Sequence, residues 1–174
     1  MNVQELRGVW NLGWALDLHT VSGGPHRWYS RSKIGEALFQ LKYLDDRSKV
    51  AILVKAACDF MAKRNVTRHL SAIIPVPPSD TTRVFQPVPA MAAEIGETLG
   101  IPALLDALRK TRCTAPLKNI DDVTERRSEL SGAFCFSGPL MSGKIVLVFD
   151  DLYRSGETLN EVARVLYNLS LIHI

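Results

Sequence analysis

Between Gly143 and Leu166 the chain reads GKIVLVFDDLYRSGETLNEVARVL, an apolar run that meets two adjacent carboxylates, Asp150 and Asp151, and then a short loop before a helical pattern. The acids can accept hydrogen bonds from vicinal hydroxyls. The loop, Arg154, Ser155, Gly156, Glu157 and Thr158, enters a helix, where unpaired backbone N–H groups and the helix dipole favour a phosphate. Gly156 lets the backbone approach closely, and Ser155 and Thr158 add hydroxyl donors. A carboxylate pair beside a phosphate cradle describes a site for a ribose 5-phosphate. The plainer reading of the same acids is a helix cap that complements the dipole.

Positioning such a site requires a strand that ends at the acids. Lys144 to Phe149 is a continuous apolar run of the kind buried on both faces of a parallel sheet, and ligands of open parallel sheets bind beyond the carboxyl ends of the strands. Leu159, Val162, Ala163, Leu166 and Leu169 make the stripe of the following helix. Upstream, Ala72 to Val76 reads as a short buried strand stopped by prolines. A helix then starts at Pro87 and is capped by Gly100. Helical spacing also covers Ile34 to Leu41 and Val50 to Met61, broken near Asp45 and Asp46. An early strand is expected over Ala15 to Val21, closed by Gly23, Gly24 and Pro25, and GAFCFSG reads as another strand. Strands alternating with helices predict an α/β fold with a mainly parallel sheet flanked by helices.

The 174 residues suit a single domain, 47% hydrophobic and 22% charged, so disordered and fibrous classes drop out. Net charge is only +3, yet Lys110, Arg112, Lys118, Arg126 and Arg127 crowd into one anion-facing stretch. Nucleic acid is not indicated. Cys58, Cys113 and Cys135 form no metal or disulfide spacing, and Cys58 reads as a small core residue. The histidines, His19, His26, His69 and His173, show no ligand spacing either. No apolar stretch is long enough for a membrane span and no leader pattern is visible, so a cytoplasmic protein is expected. Lys42 and Tyr43 are expected to close a helix, with the ring packed and the ammonium in water.

VLVFDDLYRSGETL resembles the phosphoribosyl pyrophosphate (PRPP) motif of type I phosphoribosyltransferases. IGEALFQLKY (Ile34 to Tyr43), IIPVPPS (Ile73 to Ser79), RVFQPV (Arg83 to Val88) and RKTRCTAPLKNIDDVTERRSELSGAF (Arg109 to Phe134) are similar, in order, to blocks of the ComF-like members of that family. The likeness spans residues 31–166. It leaves 1–30 as an N-terminal extension and 167–174 as an end that departs from the pattern, as a truncated or non-native tail would. It implies a type I phosphoribosyltransferase-like fold with a mobile hood, sought here between Asp80 and Asp122. Asp150 and Asp151 would hold the ribose hydroxyls, and residues 154–158 the 5-phosphate. Val76, Pro77, Pro78 and Ser79 would form the pyrophosphate loop, with Arg83, Lys118 and Arg126 as further contacts. The four-cysteine zinc module found in many members is missing, and Arg154 stands where Thr or Asp is common.

The resemblance implies a Mg²⁺-dependent enzyme that transfers phosphoribosyl from PRPP to a small nitrogen acceptor and releases pyrophosphate, with no metal ligand assigned to the chain itself and a homodimer left open. Its alternative is a non-catalytic PRPP- or nucleotide-sensing protein, or one serving DNA uptake. Phosphoaspartyl chemistry would need an Asp-x-Asp spacing that FDDLYRSG lacks.

Overall fold

Leu70–Pro75 (β5) carries Ala72, Ile73 and Ile74, all without solvent exposure, because the strand is covered on both faces. The structure, a computed structural model, describes residues 1–23, 28–111, 128, 130–139, 142–169 and 172–173. Before β5 come the strands β1 (Gln4–Glu5), β2 (Trp14–Ala15), β3 (Thr20–Gly23) and β4 (Trp28–Arg31) and the helices α1 (Lys33–Tyr43) and α2 (Lys49–Met61). After it follow α3 (Pro87–Leu99), β6 (Leu108–Lys110), β7 (Phe134–Phe136), β8 (Ile145–Phe149), α4 (Glu157–Tyr167) and β9 (Ile172–His173).

The central sheet is parallel, in the order β5, β8, β9. On the free side of β5, Ile73 donates its N–H to the Pro102 carbonyl at 2.9 Å and accepts from Leu104 N–H at 2.8 Å, around a parallel bridge between Ile73 and Ala103. The layer therefore runs residues 102–104, β5, β8, β9, which in chain order is second, first, third, fourth. Chain direction across the sheet reverses between β5 and β8, and such a switch point opens a crevice at the carboxyl ends of the two strands.

Alternate residues of the sheet face two apolar layers. Ile73 packs with Leu41, Leu53, Phe60, Met91 and Ile95 from α1, α2 and α3, whereas Ala72, Ile74 and Val146 pack with Leu130, Phe134, Val162 and Leu166 on the α4 side. Local signals fix the helix ends. Ser32 Oγ accepts Gly35 N–H at 3.0 Å at the start of α1. Asp45, at φ 52°, interrupts the path into α2, and Gly100, at φ 68°, closes α3 in the left-handed conformation.

The observed fold is thus α/β with helices on a small parallel sheet, and it departs from expectation in several places. The early strand over Ala15 to Val21 is split into the ends of two antiparallel ladders, β1–β2 and β3–β4, because residues 16–19 leave one ladder before the next begins. A third antiparallel pair, β6–β7, stands beside the parallel sheet. β4 ends at Arg31, whose guanidinium stacks 3.6 Å from the Phe39 ring on α1. Leu169 lies beyond α4 and is exposed, so the stripe ends at Leu166. Among the described residues no helix is long and apolar enough to cross a membrane.

Of the stretch expected as a hood, from Asp80 to Asp122, residues 112–122 lie outside the described residues. Its helix, α3, buries Met91, Ala92 and Ile95 against α2 and β5 and belongs to the core. Residues 80–86 remain irregular, with Asp80 as their anchor: Thr82 N–H and hydroxyl reach its carboxylate at 3.0 and 2.6 Å, and Gln86 donates to its carbonyl at 2.9 Å.

Candidate functional site

Because β5 and β8 are in register from Ala72–Val146 to Pro75–Phe149, after a shift between Leu70 and Ala72, the loops that follow them begin side by side, and Val76 N–H donates to the Phe149 carbonyl at 2.8 Å. This brings the Val76 to Ser79 segment alongside Asp150 and Asp151. Val76 is buried, Pro77 and Pro78 are half-buried, and Ser79 is exposed. The prolines end the ladder as expected and leave Ser79 at the surface of the crevice.

At the end of β8, Asp151 N–H donates to Asp150 Oδ1 at 2.8 Å, which folds the first carboxylate back over the chain. Burial, and then the charge of Asp151, raise the Asp150 pKa from 3.8 to about 7, against the pull of that N–H, Lys42 and Lys110. Asp151 meets a cation that sequence reasoning placed elsewhere. Lys42 Nζ lies 2.9 Å from Asp151 Oδ2, and the two side chains are only 21% and 9% exposed. Lys42 and Tyr43 do close α1, but the expected placement of their side chains is reversed. The ammonium is drawn into the crevice by a buried carboxylate, and the Tyr43 ring, tilted against Phe39, is 60% exposed. The available signal was the position of Lys42 at the end of the Ile34 to Tyr43 block, but a basic residue in a last helical turn is ordinarily explained by the dipole alone.

Arg83 is held at the same corner. Its Nη1 donates to the Lys42 carbonyl at 3.2 Å and its Nε lies 3.4 Å from Asp80 Oδ2, so the guanidinium bridges the end of α1 and the irregular loop. Lys118 and Arg126 lie outside the described residues, as do Cys113, Arg112 and Arg127.

The loop from Arg154 enters α4 through Gly156, at φ 79° and ψ −4°, with no side chain capping the helix. The backbone angle selects glycine, and a Cβ at this position would also press on the Tyr153 hydroxyl at 2.8 Å. Ser155, Glu157 and Thr158 are half-buried around it, and Arg154 is exposed. The first N–H groups of α4 thus have no side-chain cap within this loop, which suits an anion.

A second space adjoins the acids. A cavity of about 320 Å³ lies between the N-terminal segment, the helices α1 to α3 and the Leu147 to Phe149 edge of β8, and it reaches Asp150 and Asp151. Trp10, Trp14 and Leu16 line it, with Phe60 and Met91 opposite. Asp150 is half-buried and lines this cavity. Residues 76–79 and 154–158 do not line it.

No protein-family model matches the chain, and no curated protein matches it. What can be said of its chemistry rests on this arrangement: two carboxylates at a strand end, a proline loop beside them, an uncapped glycine-led helix start beyond them, and Lys42 with Arg83 at the rim.

Proposed function

We propose that the chain is a Mg²⁺-dependent phosphoribosyltransferase-like protein that binds PRPP and passes its phosphoribosyl group to a small nitrogen acceptor, a reading that extends the ComF-like resemblance of its sequence. The observation that carries it is the position of Asp150 and Asp151 at the switch point of the sheet, between the loop after β5 and the helix start at Gly156. In this reading Asp150 and Asp151 accept the ribose 2- and 3-hydroxyls, and the N–H groups of residues 155–158 hold the 5-phosphate. Val76 to Ser79 faces the pyrophosphate.

The acceptor nitrogen would form its bond to the ribose C1 as the bond from C1 to the pyrophosphate oxygen breaks. The chain's part is to orient the ribose and to balance charge on the departing group. Among the described residues no three His, Cys, Asp or Glu side chains are grouped to hold a metal, and Lys42 occupies an oxygen of Asp151. The residues fit a Mg²⁺ ion that is carried by the diphosphate oxygens and water, as this cation prefers. When bound, it supplies neutralisation of the leaving group.

Saturating Mg-PRPP, at roughly one hundred times its dissociation constant, is expected to add about 2.7 kcal/mol to stability, a rise of roughly 5 to 10 °C in melting temperature for a chain of this size. The Asp150→Asn/Asp151→Asn variant should lose that shift while remaining folded by circular dichroism. A wild-type melting curve unmoved by Mg-PRPP would overturn the proposal. Release of pyrophosphate in a panel of bases, amines and ammonia then separates transfer from binding alone.

A further inference from the structure

Lys42 belongs to no part of the PRPP-like motif, yet it makes the shortest charged contact at the strand end. It arrives on α1, whose first turn is tied by Ser32 and whose last carbonyls are taken up locally: Leu44 N–H donates to Gln40 O at 3.0 Å, and Arg83 Nη1 donates to Lys42 O. The backbone that carries the ammonium is therefore fixed at both ends. We propose that Lys42 is a positioning residue of the acid pair, orienting Asp151 at the end of β8 so that it can accept a ligand hydroxyl.

Three observations converge on this role. The first is geometric: the 2.9 Å contact joins two side chains that are both largely withdrawn from water, so the pair is more than a solvated surface bridge. The second is the company Asp151 keeps. Asp150 is adjacent and folded onto the Asp151 N–H, and two carboxylates this close do not both ionise without a cation. The charged groups facing the pair are Lys42 from α1 and Lys110 at the end of β6, and Lys42 alone is in ion-pair contact with Asp151 among the described ion pairs. The third is continuity: Arg83 sits on the Lys42 carbonyl, so the same helix end sets the rim of the crevice and the charge inside it.

The role in ligand binding rests on the PRPP reading above, whereas the effect on the acids does not, and the experiment separates the two. With aspartate carboxyl carbons ¹³C-labelled in the ligand-free full chain, the acid pair is expected to show a titration near pH 7 that moves upward by a unit or more in Lys42→Met and returns in Lys42→Arg. In the unaltered chain the Lys42 ¹⁵Nζ resonance should follow the same inflection, which needs no variant to fold. Carboxylates that titrate alike in wild type and Lys42→Met, or a Lys42 resonance blind to their ionisation, would sink the inference. Mg-PRPP is then titrated into the same samples. About tenfold weaker binding in Lys42→Met, with Lys42→Arg close to wild type, is the expected result. A wild-type chain that does not bind Mg-PRPP ends the functional proposal and leaves the carboxylate titration to decide the role of Lys42. A chain that binds equally well with and without the ammonium ends the ligand role of Lys42 and leaves the functional proposal standing.

Discussion

Asp150→Asn is expected to stabilise the folded chain at pH 8 by about 2 to 4 kcal/mol while weakening its response to Mg-PRPP. Burial, followed by the charge of Asp151, places the folded-state pKa of Asp150 at about 7, against 3.8 for the ordinary carboxyl. Between those two values the folded chain holds a proton that the unfolded chain has released, so stability falls as pH rises through this window and is fully regained below it. At pH 8 the wild-type fold carries the whole penalty of a buried, ionised Asp150. Asparagine is neutral at every pH, and its Oδ1 can still accept the Asp151 N–H that Asp150 takes at 2.8 Å. The melting temperature at pH 8 should therefore rise by roughly 5 to 15 °C, and the two proteins should converge as the pH approaches 4. Thermal melts at pH 4, 6 and 8 read this directly. Equal stabilities at pH 8, or a gap that widens toward acid, would show that Asp150 is not held in a disfavoured charged state. The expected pattern is that of a site residue kept at a cost to the fold.

Why the acids were legible in the sequence and their counter-ion was not follows from the range of the forces involved. Ile145–Phe149, Asp150 and Asp151, Gly156 and the stripe ending at Leu166 lie within one βα unit, where hydrophobic period, strand end and helix cap are all local signals. The same holds for α1, α2 and α3, whose apolar faces and caps are written into adjacent residues. The contact between Lys42 and Asp151 joins positions more than one hundred residues apart in the sequence and is made by sheet order. No local pattern distinguishes a lysine that ends a helix in water from one that ends it beside a buried carboxylate. The short antiparallel ladders were legible only in part for a related reason: GAFCFSG reads as a strand and forms β7, but its partner β6 has three residues and β1 and β2 two each, too few for alternation to show. Within the expected hood the helix from Pro87 to its Gly100 cap was legible, whereas the packing of its apolar face on α2 and β5 is set by tertiary contacts that no local pattern shows.

The N-terminal extension is also more closely joined to the rest than its sequence suggests, and Gly35 is where this can be tested. Gly35→Ala is expected to destabilise the chain by about 3 kcal/mol, a fall of roughly 6 to 12 °C in melting temperature. Helix propensity alone predicts the opposite sign, since alanine is favoured over glycine within a helix by about 1 kcal/mol. The packing decides otherwise. A Cβ on Gly35 would run into the His19 carbonyl oxygen and stand 2.9 Å from its carbon, and these are backbone atoms just before β3 rather than the end of a flexible side chain. Relief requires α1 or the 16–20 segment to move, and α1 is pinned at its start by Ser32. Gly100→Ala provides the contrast, because φ is 68° there but no atom lies within 4 Å of the added Cβ, so only the backbone strain of about 1 to 2 kcal/mol is incurred. Urea melts of the two variants compare a clash with a strain. Gly35 and Lys42 are about two turns apart on the same helix, so a shift of α1 at Gly35 should also carry the ammonium away from Asp151. A Gly35→Ala chain that loses stability but keeps the wild-type carboxylate titration would mean that the N-terminal segment yields instead of the helix. A chain as stable as wild type would mean that the close approach of α1 to His19 is not a feature of the folded protein.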